Sequence, residues 1–126
     1  MVISQFRSRR KVSGGRYKHI GKKLKNKGSK PVLATVGKLT RKIERIRANK
    51  VKYRILSTDI VNVYDSKEKK HFKAKIESVI ESQSNVNYIR RNIMTKGCII
   101  QTDKGIARIT SRPGQEGSLN AVLLKK

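Results

Sequence analysis

A chain of 126 residues with 32 Lys+Arg against 8 Asp+Glu carries a net charge of +24, and in so small a body that self-repulsion opposes compaction unless a polyanion such as nucleic acid neutralises it. A single cysteine excludes an internal disulfide, and one cysteine with two histidines leaves no plausible zinc set. No apolar run is long enough to cross a bilayer, no signal-peptide stretch opens the sequence, and the lone thiol fits a reducing compartment, so the expectation is a cytoplasmic chain with no membrane partner.

The charge is graded along the chain. Residues 1–54 hold 19 Lys+Arg and one acid, Glu44; residues 55–126 hold 13 and 7. Residues 1–35 are predicted to be a basic nucleic-acid-binding arm. Their few apolar side chains follow neither a helical nor a strand period, and too little surface is available for burial to offset the entropy of ordering. Arg7, Arg9, Arg10 and Lys11 open the arm, and Arg16, Lys18, Lys22, Lys23, Lys25, Lys27 and Lys30 continue it. Arginine forks bridge phosphate oxygens and stack on bases, while lysine acts as a mobile point charge. Gly14, Gly15, Gly21 and Gly28 let the backbone come close to a partner. Phe6 and Tyr17 suit either stacking on bases or packing on the folded body. A solvated tail is the bland alternative, weakened by the third of all basic residues concentrated here. The stretch from Gly15 to Lys22 superficially resembles a phosphate-binding loop. Its glycine spacing is one residue too long, Lys23 stands where Ser or Thr is needed, and no strand precedes it.

From residue 36 the pattern becomes alternation, and residues 36–126 are predicted to form one β-barrel domain. Leu39–Arg47 is read as a strand, although Ile43 and Ile46 sit at a helical spacing. Val51, Tyr53 and Ile55 alternate with Lys52 and Arg54, and the same phase runs through Val61 and Val63. Phe72, Ala74, Ile76 and Ile80 repeat it against Lys73, Lys75, Glu77 and Glu81. Period two with β-branched residues reads as half-buried antiparallel strands. Shorter strands are expected at 97–102, 105–110 and 119–124. The turns between them are Asp65-Ser66-Lys67, Asp103-Lys104-Gly105, and a type II turn at Pro113-Gly114 with glycine at positive φ. Val86, Ile89, Arg90 and Ile93 instead follow a helical period, so 85–92 is predicted to be a short helix with Ser84 or Asn85 at its start. The fold class is all-β: a small antiparallel barrel of about six strands, one short helix and an extended basic arm.

The search for chemistry ends without a centre. His19 and His71 each have Lys neighbours and read as basic surface; no serine sits in a nucleophile elbow. Asp59 shares the phase of Val61 and reads as a structural acid paired with an arginine. Cys98, beside Ile99 and Ile100, reads as a small buried hydrophobe. No cofactor, metal or small-molecule substrate is expected. On the barrel, Arg90 and Arg91 form a second basic cluster with Lys96 and Tyr88 beside them, and Arg112 stands at a loop tip. Lys67, Lys69, Lys70, Lys125 and Lys126 read as solvated. Composition alone stops at nucleic-acid binding and does not separate RNA from DNA.

Three blocks go further. The run Phe6-Arg7-Ser8-Arg9-Arg10-Lys11-Val12-Ser13-Gly14-Gly15-Arg16 resembles the N-terminal signature of the ribosomal protein S8e family. Tyr88-Ile89-Arg90-Arg91-Asn92-Ile93-Met94-Thr95-Lys96-Gly97 looks like its central block. Thr110-Ser111-Arg112-Pro113-Gly114-Gln115-Glu116-Gly117, with Asn120-Ala121-Val122-Leu123, is similar to its C-terminal block. The blocks keep the family's order and span almost the whole chain, at the length of the short archaeal form. Asn26-Lys27-Gly28 departs from the family's usual acidic and apolar pair before the closing glycine. The resemblance implies a structural, non-catalytic constituent of the small ribosomal subunit. Its implied partners are small-subunit ribosomal RNA and neighbouring ribosomal proteins. The alternatives are an architectural DNA-binding protein, which would bind bare duplex DNA, and an RNA-modifying enzyme, which would need a cofactor pocket.

Overall fold

The computed structural model describes residues 10–18 and 28–124, and the backbone of 3, 4 and 27. The chain divides into two compact units, Met1–Pro31 and Val32–Lys126. In the first, β1 (Ile3–Ser4) pairs antiparallel with β2 (Lys27–Gly28). Between them the chain doubles back, with Arg10 bridged antiparallel to Arg16. The amide of Lys11 donates to the Gly15 carbonyl at 2.7 Å, and that of Gly14 donates to the Lys11 carbonyl at 3.0 Å. Gly14, at φ +83°, closes this turn in the left-handed region that a side chain would resist.

The second unit is built from β3 (Ala34–Val36), β4 (Thr40–Arg45), β5 (Val51–Thr58), β6 (Ile60–Asp65), β7 (Lys70–Glu81), α1 (Asn87–Arg90), β8 (Ile93–Met94), β9 (Ile99–Thr102), β10 (Gly105–Ile109) and β11 (Asn120–Leu123). The all-β expectation holds. A barrel closes in the order β10-β11-β6-β7-β9, and a separate sheet runs β4-β5-β3-β8. The barrel is antiparallel except where β11 lies parallel to β6. Alternation explains which side chains fill it. Val61 faces Ala74 and Val63 faces Phe72 across the β6–β7 pair, in the predicted phase. Ile100, Ala107, Ile109 and Ala121 complete the interior, and Ala34, Ile55 and Met94 bring the second sheet onto the same core. Burial of each isoleucine in it is worth about 1.5–3 kcal/mol.

The β4 strand and the short helix lie where the pattern put them. Asn85 Oδ1 accepts the Asn87 amide at 2.9 Å at the start of α1. Other details differ. Val51 and Tyr53 are exposed although they keep the phase of buried Ile55; among the described residues the N-terminal half of β5 has β4 as its only sheet neighbour, which leaves that face about half open. In β7 the phase slips at irregularities between Ile76 and Ser78 and between Val79 and Glu81, which turn Val79 inward and Ile80 outward. Gly114 does not take positive φ. Both Gln115 and Glu116 donate to the Arg112 carbonyl, so the predicted type II turn is a helical one. Asp59 is half-buried and forms no ion pair among the described residues.

Candidate nucleic-acid interface

The first unit presents its charge on the 10–16 loop. Arg10, Lys11, Arg16 and Lys18 are all exposed, and the bridge between Arg10 and Arg16 brings the two guanidinium-bearing residues opposite one another. Lys11 Nζ lies 5.7 Å from the centre of the half-buried Tyr17 ring, a cation–π contact. Lys30 is exposed just before the second unit. Arg7, Arg9, Lys22, Lys23 and Lys25, with Phe6 and His19, lie outside the described residues, as does the side chain of Lys27.

In the second unit, Arg90 ends α1 and Arg91 follows it, both exposed. Their position is set by Asn92, which adopts φ +47°, a conformation asparagine tolerates better than most residues. Its amide donates to the Ile89 carbonyl at 3.0 Å, its carbonyl accepts from Val36 at 3.2 Å, and its Oδ1 accepts the Val79 amide at 3.2 Å. One residue, through its backbone and its side chain, thus ties the helix to β3 and to the irregular part of β7. Arg112 is held differently. Pro113 donates no amide but its carbonyl accepts from Ile55 at 2.9 Å, which fixes the loop along β5. Just before Arg112, Ser111 Oγ accepts the amide of Asn120, the first residue of β11, at 2.9 Å, and Asn62 Nδ2 donates to Asn120 Oδ1 at 3.1 Å. These bonds anchor both ends of the loop to the barrel.

Among the described residues no group of histidine, cysteine and acidic side chains can hold a metal, and no helix is long and apolar enough to cross a membrane. Cys98 is free and buried, and burial pushes its thiol pKa up. His71 stacks on Tyr64 with ring centres 4.7 Å apart. Neither group has the partners of a nucleophile or a base.

A family model described as ribosomal protein S8e matches residues 4–124. The chain belongs to the ribosomal protein S8e family. Its relatives include the small ribosomal subunit protein eS8 of Halorubrum lacusprofundi, 47% identical over 95% of this chain and 97% of the relative. Those of Methanocorpusculum labreanum, 46% over 98% and 100%, and of Methanococcus vannielii, 41% over the full length of both, are similar in extent. All three carry the name of a small-subunit constituent, and the S8e family is one of ribosomal components rather than enzymes. The protein is therefore a component of the small ribosomal subunit.

One group of basic residues in this S8e chain escaped sequence reasoning. Arg41, Lys42, Arg45, Lys52 and Arg54 belong to the β4–β5 hairpin, with Arg47 in its connecting turn. Residues 38–54 hold eight Lys+Arg and one acid, a higher density of basic residues than the 11 in residues 1–35. The signal was present in the charge count. Alternation masks it, because period two there reads as a strand buried on one face.

Glu44, the sole acid before Asp59, is engaged on this hairpin. Lys42 Nζ lies 2.9 Å from Oε1 and Arg54 Nε 2.7 Å from Oε2. The Arg54 contact is a close ion pair rather than an aligned hydrogen bond. The hydrogen bond from Lys42 holds the Glu44 carboxyl below its usual pKa. Burial opposes this, and the charges of Arg54 and Lys42 reinforce it.

Proposed function

We propose that the chain binds and stabilises folded small-subunit ribosomal RNA through a basic arm, residues 1–35, and through the surface of the barrel domain, residues 36–126. The observation that carries this reading is the exposed, acid-free charge of the N-terminal segment. No acid occurs before Glu44, and every described Lys and Arg side chain from Arg10 to Lys30 is exposed. No acid within residues 1–35 offsets that charge, and a phosphate backbone is a partner that does. Arg7, Arg9, Arg10, Lys11, Arg16, Lys18, Lys22, Lys23, Lys25, Lys27 and Lys30 supply attraction in the arm. Arg90, Arg91 and Arg112, on elements anchored by hydrogen bonds, supply orientation, because phosphate contacts from a fixed frame set register on the RNA. Neighbouring ribosomal proteins and a cytoplasmic ribosome complete the reading.

The test is affinity across a salt series for full-length protein on folded small-subunit ribosomal RNA, on unrelated RNA and on duplex DNA. Replacing Arg7, Arg9, Arg10 and Lys11 with Gln is expected to flatten the dependence of log affinity on log salt by about three, at roughly 0.7–0.9 per lost contact. Replacing Arg90 and Arg91 is expected to reduce the preference for the ribosomal RNA more than the affinity itself. A quadruple variant with the wild-type slope would show the arm to be a solvated tail. Equal binding to duplex DNA would favour an architectural DNA-binding protein instead.

A further inference from the structure

We infer that the β4–β5 hairpin is a separate RNA-binding finger, and that one face of it, formed by Arg41, Ile43, Arg45, Val51 and Tyr53, lies along the shallow minor groove of an RNA helix. The inference rests on the proposal that the chain binds ribosomal RNA and adds a site outside the arm, the helix and the Arg112 loop.

Cross-strand pairing sorts the hairpin into two faces. Lys42 opposes Arg54 and Glu44 opposes Lys52 on one side; Ile43 opposes Tyr53 and Arg45 opposes Val51 on the other, with Arg41 opposite Ile55. The first face is closed on itself by the Lys42–Glu44–Arg54 ion pairs. The second starts at Ile55, which is buried in the core, and then leaves it: Tyr53 is 47% exposed, Val51 50% and Ile43 64%. From the Arg41–Ile55 pair to the Arg45–Val51 pair this face runs about 14 Å, at ~3.4 Å per residue. It is an apolar strip with exposed arginines at both ends, and neither Arg41 nor Arg45 has an acidic partner among the described residues.

The partner's chemistry follows from that pattern. An acidic protein would meet the arginines but would not explain why the surrounding 17 residues, 38–54, carry eight basic groups and one acid. An RNA helix meets both parts. Its phosphate rows pair with Arg41 and Arg45, and its ribose edges are flat and partly apolar. A ribbon two strands wide does not enter the deep, narrow major groove of A-form RNA, whereas the minor groove is wide, shallow and lined with 2′-hydroxyls. The position of Tyr53 agrees. Gly117 lies so close to its Cβ that a methyl group built there would stand 2.9 Å away, so the loop bearing Arg112 borders the base of this face.

The experiment uses full-length protein and measures affinity over a salt series for folded small-subunit ribosomal RNA, a perfect RNA duplex, and a DNA duplex of the same sequence. Arg41→Gln with Arg45→Gln is expected to weaken binding to the ribosomal RNA about 25- to 60-fold at 0.1 M salt and to flatten the slope by about 1.4–1.8, for two lost contacts. Ile43→Ser with Val51→Ser keeps the charge; it is expected to leave the slope unchanged and to shrink the preference for RNA over DNA duplex. Lys67→Gln with Lys73→Gln removes the same charge from exposed barrel positions and serves as control. All six positions are exposed, and unchanged thermal unfolding verifies the fold of each variant. If the wild type fails to bind ribosomal RNA, the underlying RNA-binding reading falls. If it binds and the arginine variant behaves like the control, the finger alone is overturned. Variants that bind RNA normally yet fail to enter assembled subunits would show the face to dock on a protein, which also overturns it.

Discussion

Gly117 stands where a methyl group does not fit. A Cβ there would lie 2.9 Å from Tyr53 Cβ and 3.5 Å from Cγ, and a Cβ offers no flexible end to swing aside. Gly117→Ala is therefore expected to lower unfolding free energy by about 1–3 kcal/mol, the usual cost of overpacking. Gly114, three residues earlier, makes the opposite case. Its φ is not positive and its nearest neighbour, Val32 Cβ, would be in ordinary contact at 3.5 Å. Gly114→Ala should be neutral or stabilise by about 0.4–1 kcal/mol through the unfolded chain. Denaturant melts of the two variants give the comparison, and equal effects would show that the Tyr53 contact does not constrain the loop. Asn92 shows the same dependence on local geometry. Resemblance marks its block, but its three hydrogen bonds to α1, β3 and β7 appear only once the fold brings those elements together.

At the scale of elements, Glu44 adds ion pairs with Lys42 and Arg54 to the backbone ladder of the β4–β5 hairpin. Its carboxyl is held below the ordinary value of 4.5, so its stabilising effect is complete above that value and is lost as pH falls through the lowered one. Amide exchange by NMR is expected to show hairpin protection at Ile43–Arg45 and Val51–Tyr53 falling below pH 4.5 before that of Val61–Val63 in the barrel. Glu44→Gln should remove the step. Hairpin protection independent of pH would assign its order to the backbone ladder alone. Much of this fold was legible from period two: β6 and the first half of β7 keep one phase, and β4 was read as a strand despite the helical spacing of Ile43 and Ile46. The exposure of Val51 and Tyr53 was not legible, because alternation reports a difference between two faces and not whether anything covers the apolar one. The β7 irregularities were hidden for a related reason: Val79 and Ile80 are both apolar, so either could be the inward residue. For the candidate site, composition identified basic runs, and the structure places Arg90, Arg91 and Arg112 on the exposed surface. The hairpin's charges were concealed within a strand pattern.

For the molecule as a whole, a charge of +24 on 126 residues sets its response to salt and to its partner in opposite directions. Free protein is destabilised by self-repulsion, which acts over a Debye length of about 10 Å at 0.1 M salt and about 3 Å at 1 M. Its melting temperature should rise as sodium chloride is added from low concentration. On the proposed reading, bound RNA would stabilise by mass action, by about 2.7 kcal/mol when its free concentration is a hundred times the dissociation constant. That constant itself weakens with salt, because each phosphate contact depends on counterion release. The protection conferred by folded small-subunit ribosomal RNA should consequently be largest at low salt and shrink as salt rises, while the free protein's own melting temperature climbs towards it. Two melting curves against salt, with and without RNA, should converge. The Arg7, Arg9, Arg10 and Lys11 variant to Gln, with four fewer charges, should start with the higher free melting temperature and gain less from RNA. Parallel curves would mean that charge neutralisation is not what RNA contributes, and a variant with the wild-type gain would place the relevant contacts outside the arm.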